Sequence, residues 1–170
     1  MPVTNSRRKQ SWRDGGLAAT RYQRTFPDAR KSTREEDIHM HVDFWHDDLG
    51  VDVKGNNLPD EIWVEFKNVK GDLGWLFGQA TTIAFDMPEV QGFVIVNTEE
   101  LRTYCKENVD WSGTVAKKDS YKRCYSRQDR EDLITMLVIE DLQTLPSYEV
   151  ANYSMDYYHP VTDEVKTIVY

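Results

Sequence analysis

The pattern of hydrophobic and polar positions starts with the period of a helix and then changes to the period of a strand. Leu17, Ala18 and Tyr22 are spaced for one helix face, so residues 17–26 are predicted to be helical, and Pro27 ends that helix. A polar stretch without a clear period follows and leads into the first strand.

Apolar and polar residues then alternate in three successive segments, residues 39–45, 50–55 and 62–69, which predicts three strands. Short polar turns, HDDLG and NNLPDE, separate these strands and favour an antiparallel meander. Two further segments, residues 81–87 and 92–97, are largely apolar and have the composition of buried strands.

The region after these strands begins with a helix and then loses its regular period. Thr98 is an N-cap signal with two glutamates after it, which predicts a helix over residues 98–109. Residues 110–130 are polar and irregular, and residues 133–139 are predicted to be a strand or a helical turn. Together the elements predict an α/β fold with a mixed central sheet, in which an antiparallel three-stranded meander is flanked by helices.

The composition is that of one folded domain, with 170 residues of which 39% are hydrophobic and 12% aromatic. The longest apolar runs have only a few residues, whereas a transmembrane helix needs about 20, so no contact with a membrane is expected. The basic N-terminus lacks the apolar stretch of a secretory signal, and the two cysteines lack metal-ligand spacing. We therefore expect a cytoplasmic protein with a flexible basic arm, residues 1–14, and a single domain, residues 15–170.

The charge is unevenly distributed along the chain. The net charge is −8, yet residues 1–34 are strongly basic, and a second basic stretch covers residues 117–130. An acidic protein with two basic segments is not a simple nucleic-acid coat, but those segments can contact phosphates locally.

Carboxylates stand in the middle of all three predicted strands of the meander, as Asp43, Asp52 and Glu65. Lys54 follows Asp52 by two residues, and Lys67 follows Glu65 by two residues, so each pair lies on one face of the sheet. Adjacent antiparallel strands can bring the three carboxylates onto one patch.

Clustered carboxylates repel one another and need a cation, and hard oxygen ligands suit Mg²⁺ or Mn²⁺. A lysine beside them can orient a water molecule or neutralise the charge that develops on a phosphate. This combination indicates metal-assisted hydrolysis of phosphodiesters. The alternative interpretation is a solvated strand face, on which each cross-strand pair of lysine and carboxylate contributes only about 0.2–1 kcal/mol.

An acid, a short turn and then (Asp/Glu)-x-Lys on the next strand resembles the PD-(D/E)XK nuclease superfamily. The segments HVDFW, GVDVKG and IWVEFKNVKGDLGWLFGQATTIAF are similar to a family of small phage proteins with that core, and the resemblance covers roughly residues 17–110. It implies a restriction-endonuclease-like fold, a nuclease-like domain, Mg²⁺ or Mn²⁺ as cofactor and DNA as substrate.

The superfamily pattern fits this sequence in two registers. In the first, Asp52 is the lone acid and Glu65 with Lys67 is the acid–lysine pair; in the second, Asp43 is the lone acid and Asp52 with Lys54 is the pair. We favour the first register because it uses the longer strand and the commoner Glu-x-Lys form, with Asp43, Asp52 and Glu65 as metal ligands. Valine replaces the superfamily's proline before the lone acid in both registers.

The resemblance also suggests a role for Gln79, which is similar to a glutamine that some of these nucleases carry on the helix after the motif. A rival function is a catalytically inactive phage accessory or virion protein that binds a phage protein, a host protein or nucleic acid. The net charge favours this rival because a DNA groove should be basic.

Two other patterns offer alternatives to these hypotheses. His39 and His41, with His46 nearby, alternate on a predicted strand and would make a zinc site with Asp43 or Asp47, although any exposed strand shows the same alternation. The aromatic residues of the central region are expected to be core residues rather than platforms for base stacking. They are Trp63, Trp75, Phe77 and Phe85.

Overall fold

A six-stranded mixed sheet forms the centre of the computed structural model, which describes residues 16–55 and 57–154. Helix α1 covers residues 16–25. The strands are β1 (Arg30–Lys31), β2 (Phe44–His46), β3 (Leu49–Lys54), β4 (Glu61–Lys67), β5 (Thr82–Met87), β6 (Gly92–Asn97), β7 (Asp110–Thr114), β8 (Arg123–Cys124), β9 (Leu133–Val138) and β10 (Glu149–Asn152). The other helices are α2 (Arg34–Met40), α3 (Thr98–Asn108) and α4 (Ile139–Leu142).

The order of strands in the main sheet is β1-β2-β3-β5-β6-β10. All neighbours are antiparallel except β3 and β5, which run parallel. Two small sheets accompany it: β4 pairs antiparallel with β9, and β7 pairs with β8. The parallel step requires a crossover, and the segment that makes it contains β4 and a 3₁₀ turn, Trp75–Phe77.

Both faces of the main sheet are covered by apolar side chains. On one face Tyr22 of α1 lies against Phe44 and Phe93, with ring centroids 5.0 and 5.3 Å apart. Alternate residues of β5 and β6, such as Phe85, face the opposite side and belong to the core that includes Leu101 of α3. The strands β4 and β9 contribute to this second core, so they form a layer above the sheet.

The predicted three-stranded meander is wrong in its third strand. The hairpin of β2 and β3 forms, but β5 rather than β4 takes the position beside β3. The burial patterns explain the exchange: five of the six residues of β5 are buried, as befits a strand covered on both faces, whereas β4 alternates buried and half-buried side chains. The coarser prediction, an α/β fold with a mixed sheet and flanking helices, is confirmed.

The predicted strand over residues 39–45 is also wrong in its first part, because α2 runs to Met40. Thr33 caps that helix in a capping box with Glu36, in which each side chain bonds the other's backbone N–H. His41 ends the helix in the left-handed conformation at φ 56°. The alternation of His39 and His41 resembles a strand, but the Thr33–Glu36 capping box starts a helix that includes His39.

The remaining elements agree closely with the expectations. Helix α1, the strands β3, β5 and β6, and helix α3 lie where the pattern predicts them, although Asn97 rather than Thr98 caps α3. The stretch 110–130 contains the short strands β7 and β8. The predicted arm, residues 1–14, lies outside the described residues, and among those described no helix is long and apolar enough to cross a membrane.

We expect Gly74→Ala to destabilise the protein by about 1–3 kcal/mol. A Cβ at Gly74 would lie 2.5 Å from the carbonyl oxygen of Glu65, and a strand backbone cannot yield cheaply. Gly16→Ala is the control, because a Cβ there meets no atom within 4 Å and alanine favours the helix. Urea unfolding of both variants measures the difference, and equal midpoints would contradict the close approach of Gly74 to β4.

Candidate functional site

Two aspartates lie close together at the open end of the β2–β3 hairpin. The pairing begins with Phe44 opposite Val51, and Asp43 and Asp52 are the residues next to that pair. Their carboxylates are close enough for the charge of Asp52 to raise the pKa of Asp43. The backbone N–H of Asp43 donates to the carbonyl of Val51 at 2.8 Å, and its carbonyl accepts from Ser32 at 2.9 Å. Asp43 is thus fixed between β1 and β3 by its own main chain.

Asp52 is buried, with only 3% of its surface exposed. Its Oδ1 lies 3.0 Å from Nζ of Lys54, two residues further along the same face of β3. Its Oδ2 has no hydrogen-bond partner among the described residues. A buried carboxylate oxygen without a partner is costly, so this atom is a position where an additional ligand would be stabilised.

Asp43 is half-buried beside Asp52, and its Oδ2 accepts a hydrogen bond of 2.7 Å from the backbone N–H of Val53. Burial, and then the negative charge of Asp52, raises the pKa of Asp43 to about 6. Burial also raises the pKa of Asp52, against the opposing effect of the Lys54 ammonium. The two carboxylates therefore share one site in which both negative charges are unfavourable without a cation.

A third carboxylate, Asp37 of α2, extends this pair. Loss of solvation, followed by the charge of Asp43, raises the pKa of Asp37, although its side chain is still exposed at the surface. Sequence reasoning missed Asp37 because the stretch before the first strand had no assigned element. The capping box of Thr33 and Glu36 was the signal that would have placed it on a helix leading into the site.

Glu65 lies on β4, in the layer above the main sheet, and not on the strand beside Asp52. Its Oε1 accepts from the backbone N–H of Trp75 at 3.3 Å, and Nζ of Lys54 lies 4.8 Å from the centroid of the Trp75 ring. Glu65 and Lys54 line the same cavity of about 450 Å³. Glu65 is therefore connected to the site only through the cavity lining that it shares with Lys54 and Trp75, as far as the chain is described.

The other two candidates lie elsewhere. Lys67 is exposed at the end of β4, after an irregularity in the pairing with β9, and does not line this cavity as far as the chain is described. Gln79 is exposed and lines a separate cavity of about 250 Å³ together with Arg102. The structure thus brings together Asp43, Asp52 and Lys54, which is the second register.

The zinc hypothesis finds no support in the described residues, because His39 lies on α2 and His41 caps it instead of alternating on a strand. In residues 16–55 and 57–154, no three His, Cys, Asp or Glu side chains form a ready-made metal cage. A pair of carboxylates still suffices for Mg²⁺, which commonly keeps several waters and uses one or two protein carboxylates together with substrate phosphates.

The expectation for the aromatic residues holds for Trp75 and Phe85, which are buried. It fails for Phe77, which is 45% exposed, and for Trp63, which is half-buried and lines the cavity next to Glu65. In β4 the side chains of Ile62 and Val64 point into the core, so Trp63 between them points to the other face. The same alternation is present in the sequence.

Comparison with protein-family models, with curated proteins and with solved structures found no match for this chain.

The raised pKa of Asp43 predicts a pH-dependent stability in EDTA. In the native state Asp43 binds a proton below about pH 6, whereas in the unfolded state it binds one only near its ordinary pKa of 3.8. The free energy of unfolding therefore increases as pH falls from 7.5 to 4.5, and the native state becomes more stable. Asp43→Asn removes this titration and keeps the acceptor for Val53. It should stabilise the protein by about 2 kcal/mol at pH 7.5 and much less at pH 4.5.

Urea unfolding of wild type and Asp43→Asn at both pH values measures this difference. Asp48→Asn, in the exposed turn between β2 and β3, is the control and should change stability equally at both pH values. A difference in stability between wild type and Asp43→Asn that does not depend on pH would contradict the raised pKa of Asp43 and the burial that is its main cause.

Proposed function

We propose that the protein is a metal-dependent nuclease that hydrolyses DNA phosphodiesters with Asp43, Asp52 and Lys54. The observation that supports this most is the buried carboxylate of Asp52, which has one oxygen without a partner and lies beside a second carboxylate whose pKa is raised. Strongly perturbed acids that share a site with a lysine are typical of catalytic positions.

The donor set fits a hard divalent cation such as Mg²⁺ or Mn²⁺. Asp43 and Asp52 would hold it, because Oδ2 of Asp52 makes no hydrogen bond among the described residues and the carboxylate of Asp43 lies beside it. A bound ion of this kind supplies a water of lowered pKa and polarises the phosphate.

The chain's own residues perform the positioning. Burial and the ion pair with Lys54 fix the carboxylate of Asp52, and the backbone of β3 fixes that of Asp43. The ammonium of Lys54 lies between the carboxylate pair and the cavity, so it meets a phosphate that enters from the cavity and stabilises the negative charge that develops there. Glu65 acts at the cavity wall and not as a partner of Asp52.

We also propose that the domain is related to the restriction-endonuclease-like fold of the PD-(D/E)XK superfamily. Support comes from the helix before the sheet, from the hairpin that carries both acids, and from the parallel strand β5 beside Asp52. A member of this superfamily in a phage would act in the cytoplasm of the host cell. The departure of β4 from the main sheet is the feature that differs from the expected core.

The two registers differ in their lysine, which gives a direct test. Lys54→Ala should lower the rate of Mg²⁺- or Mn²⁺-dependent DNA cleavage by about 10²–10³-fold, as expected for the loss of a positioned electrostatic group. Lys67→Ala is the matched control and should stay within about twofold of wild type, because Lys67 is exposed outside the cavity. Cleavage of linear and nicked DNA by both variants gives the comparison.

A second pair of variants tests the acids in the same assay. Asp52→Asn should abolish cleavage, whereas Glu65→Gln should retain part of it. The first register would operate if cleavage were lost in Lys67→Ala and Glu65→Gln but retained in Lys54→Ala. If the wild-type protein cuts no nucleic acid with any divalent ion, the nuclease proposal is wrong. The alternative is then the catalytically inactive accessory protein, which the net charge of −8 favours.

A further inference from the structure

The cavity beside Lys54 has an unusual lining for a protein that is acidic overall. It measures about 450 Å³, within the range of about 300–1,000 Å³ that is common for small-molecule sites. Among the described residues, three cationic and three aromatic side chains line it together with one carboxylate, Glu65. Two of the cations, Lys54 and Arg127, already pair with the buried aspartates Asp52 and Asp132. Cationic side chains next to aromatic rings are a combination that nucleic-acid strands recognise.

The aromatic part of the cavity is formed by Trp63 of β4 and Tyr125. Their ring centroids lie 6.2 Å apart with an interplanar angle of 53°, and both side chains are half-buried. Tyr125 is held against β9 by two backbone hydrogen bonds with Ile134, of 2.8 and 2.9 Å. Rings that are held in place and still reach solvent offer a stacking surface at little entropic cost.

The cationic part consists of Lys117, Arg127 and Lys54. Lys117 lies with Nζ 6.0 Å from the centroid of the Trp63 ring, and Arg127 is held by the buried carboxylate of Asp132. Lys54 lies 3.0 Å from Oδ1 of Asp52 and connects the cavity to the carboxylate pair. The second basic stretch of the sequence therefore contributes Lys117 and Arg127 to the lining of this cavity.

We propose that this cavity binds one unpaired nucleotide of a DNA strand, with its base against Trp63 and Tyr125 and its phosphates toward Lys54 and Lys117. This inference rests on the proposed function for its choice of ligand. A cavity of this volume has room for one nucleotide but not for a base pair with both of its backbones. The substrate class is therefore single-stranded DNA, or DNA with a nucleotide extruded from the duplex next to the scissile phosphate.

Binding of a short labelled oligothymidine in EDTA and low salt, followed by fluorescence anisotropy, tests the proposal without cleavage. Trp63→Ala should weaken binding by about tenfold or more, the effect expected for the loss of one stacked base. Trp111→Ala is the matched control, since Trp111 is 46% exposed and packs on Phe66 outside the cavity. Its affinity should stay within about twofold of wild type.

A second pair of variants guards against a folding defect in Trp63→Ala. Lys117 and Lys118 are neighbours in one exposed 3₁₀ turn, but only Lys117 lines the cavity. Lys117→Ala should weaken binding clearly more than Lys118→Ala, because both lose one charge and differ only in position. Thermal melts of all four variants verify that they are folded.

Equal affinities within both pairs of variants would overturn the proposal. So would a blunt duplex, or free thymidine monophosphate, that binds as tightly as the oligothymidine. If the variants bind oligothymidine as predicted but the protein never cuts DNA, the nuclease proposal is wrong and the nucleotide-binding cavity is supported. Cleavage that is unaffected in Trp63→Ala and Lys117→Ala would contradict the cavity and leave the nuclease standing.

Discussion

The burial of Asp52 beside Asp43 is the constraint on which the rest of the site depends. Desolvation raises the pKa of both carboxylates, and the charge of Asp52 adds to the rise for Asp43. Lys54 compensates one oxygen of Asp52 and leaves the other without a partner among the described residues. The apolar packing on both faces of the sheet has to supply the free energy that holds this arrangement, since the aspartates themselves oppose it.

The position of β5 connects this constraint to the rest of the fold. Because β5 lies parallel beside β3, it covers the edge of the hairpin, and the crossover that this requires carries Trp75 to a place over Lys54. The same crossover contains β4, whose Glu65 lines the cavity. Lys54 therefore joins the two places, because it pairs with Asp52 and also lines the cavity.

Much of the local structure could be predicted from the sequence, whereas the pairing of strands could not. Alternation of side chains identifies β3 and β4, and short apolar runs identify β5 and β6, because both signals depend only on near neighbours in the chain. The choice of β9 as the partner of β4 depends on residues far along the sequence, so no local pattern indicates it. Asp43, Asp52 and Lys54 are among the candidates that the sequence suggests, and the structure brings these three together. The length of the third predicted strand and its Glu-x-Lys form favour Glu65 and Lys67, but neither feature indicates that this strand pairs with β9 in a separate sheet.

The central claim is that Asp43 and Asp52 together bind a divalent cation. An anomalous difference map from crystals soaked in Mn²⁺ tests it most directly, because manganese is located independently of any assumed ligand. The account predicts a peak within about 2.0–2.6 Å of carboxylate oxygens of both aspartates, including Oδ2 of Asp52. A peak that contacts Glu65 without them, or a map with no peak at these two carboxylates, would contradict it.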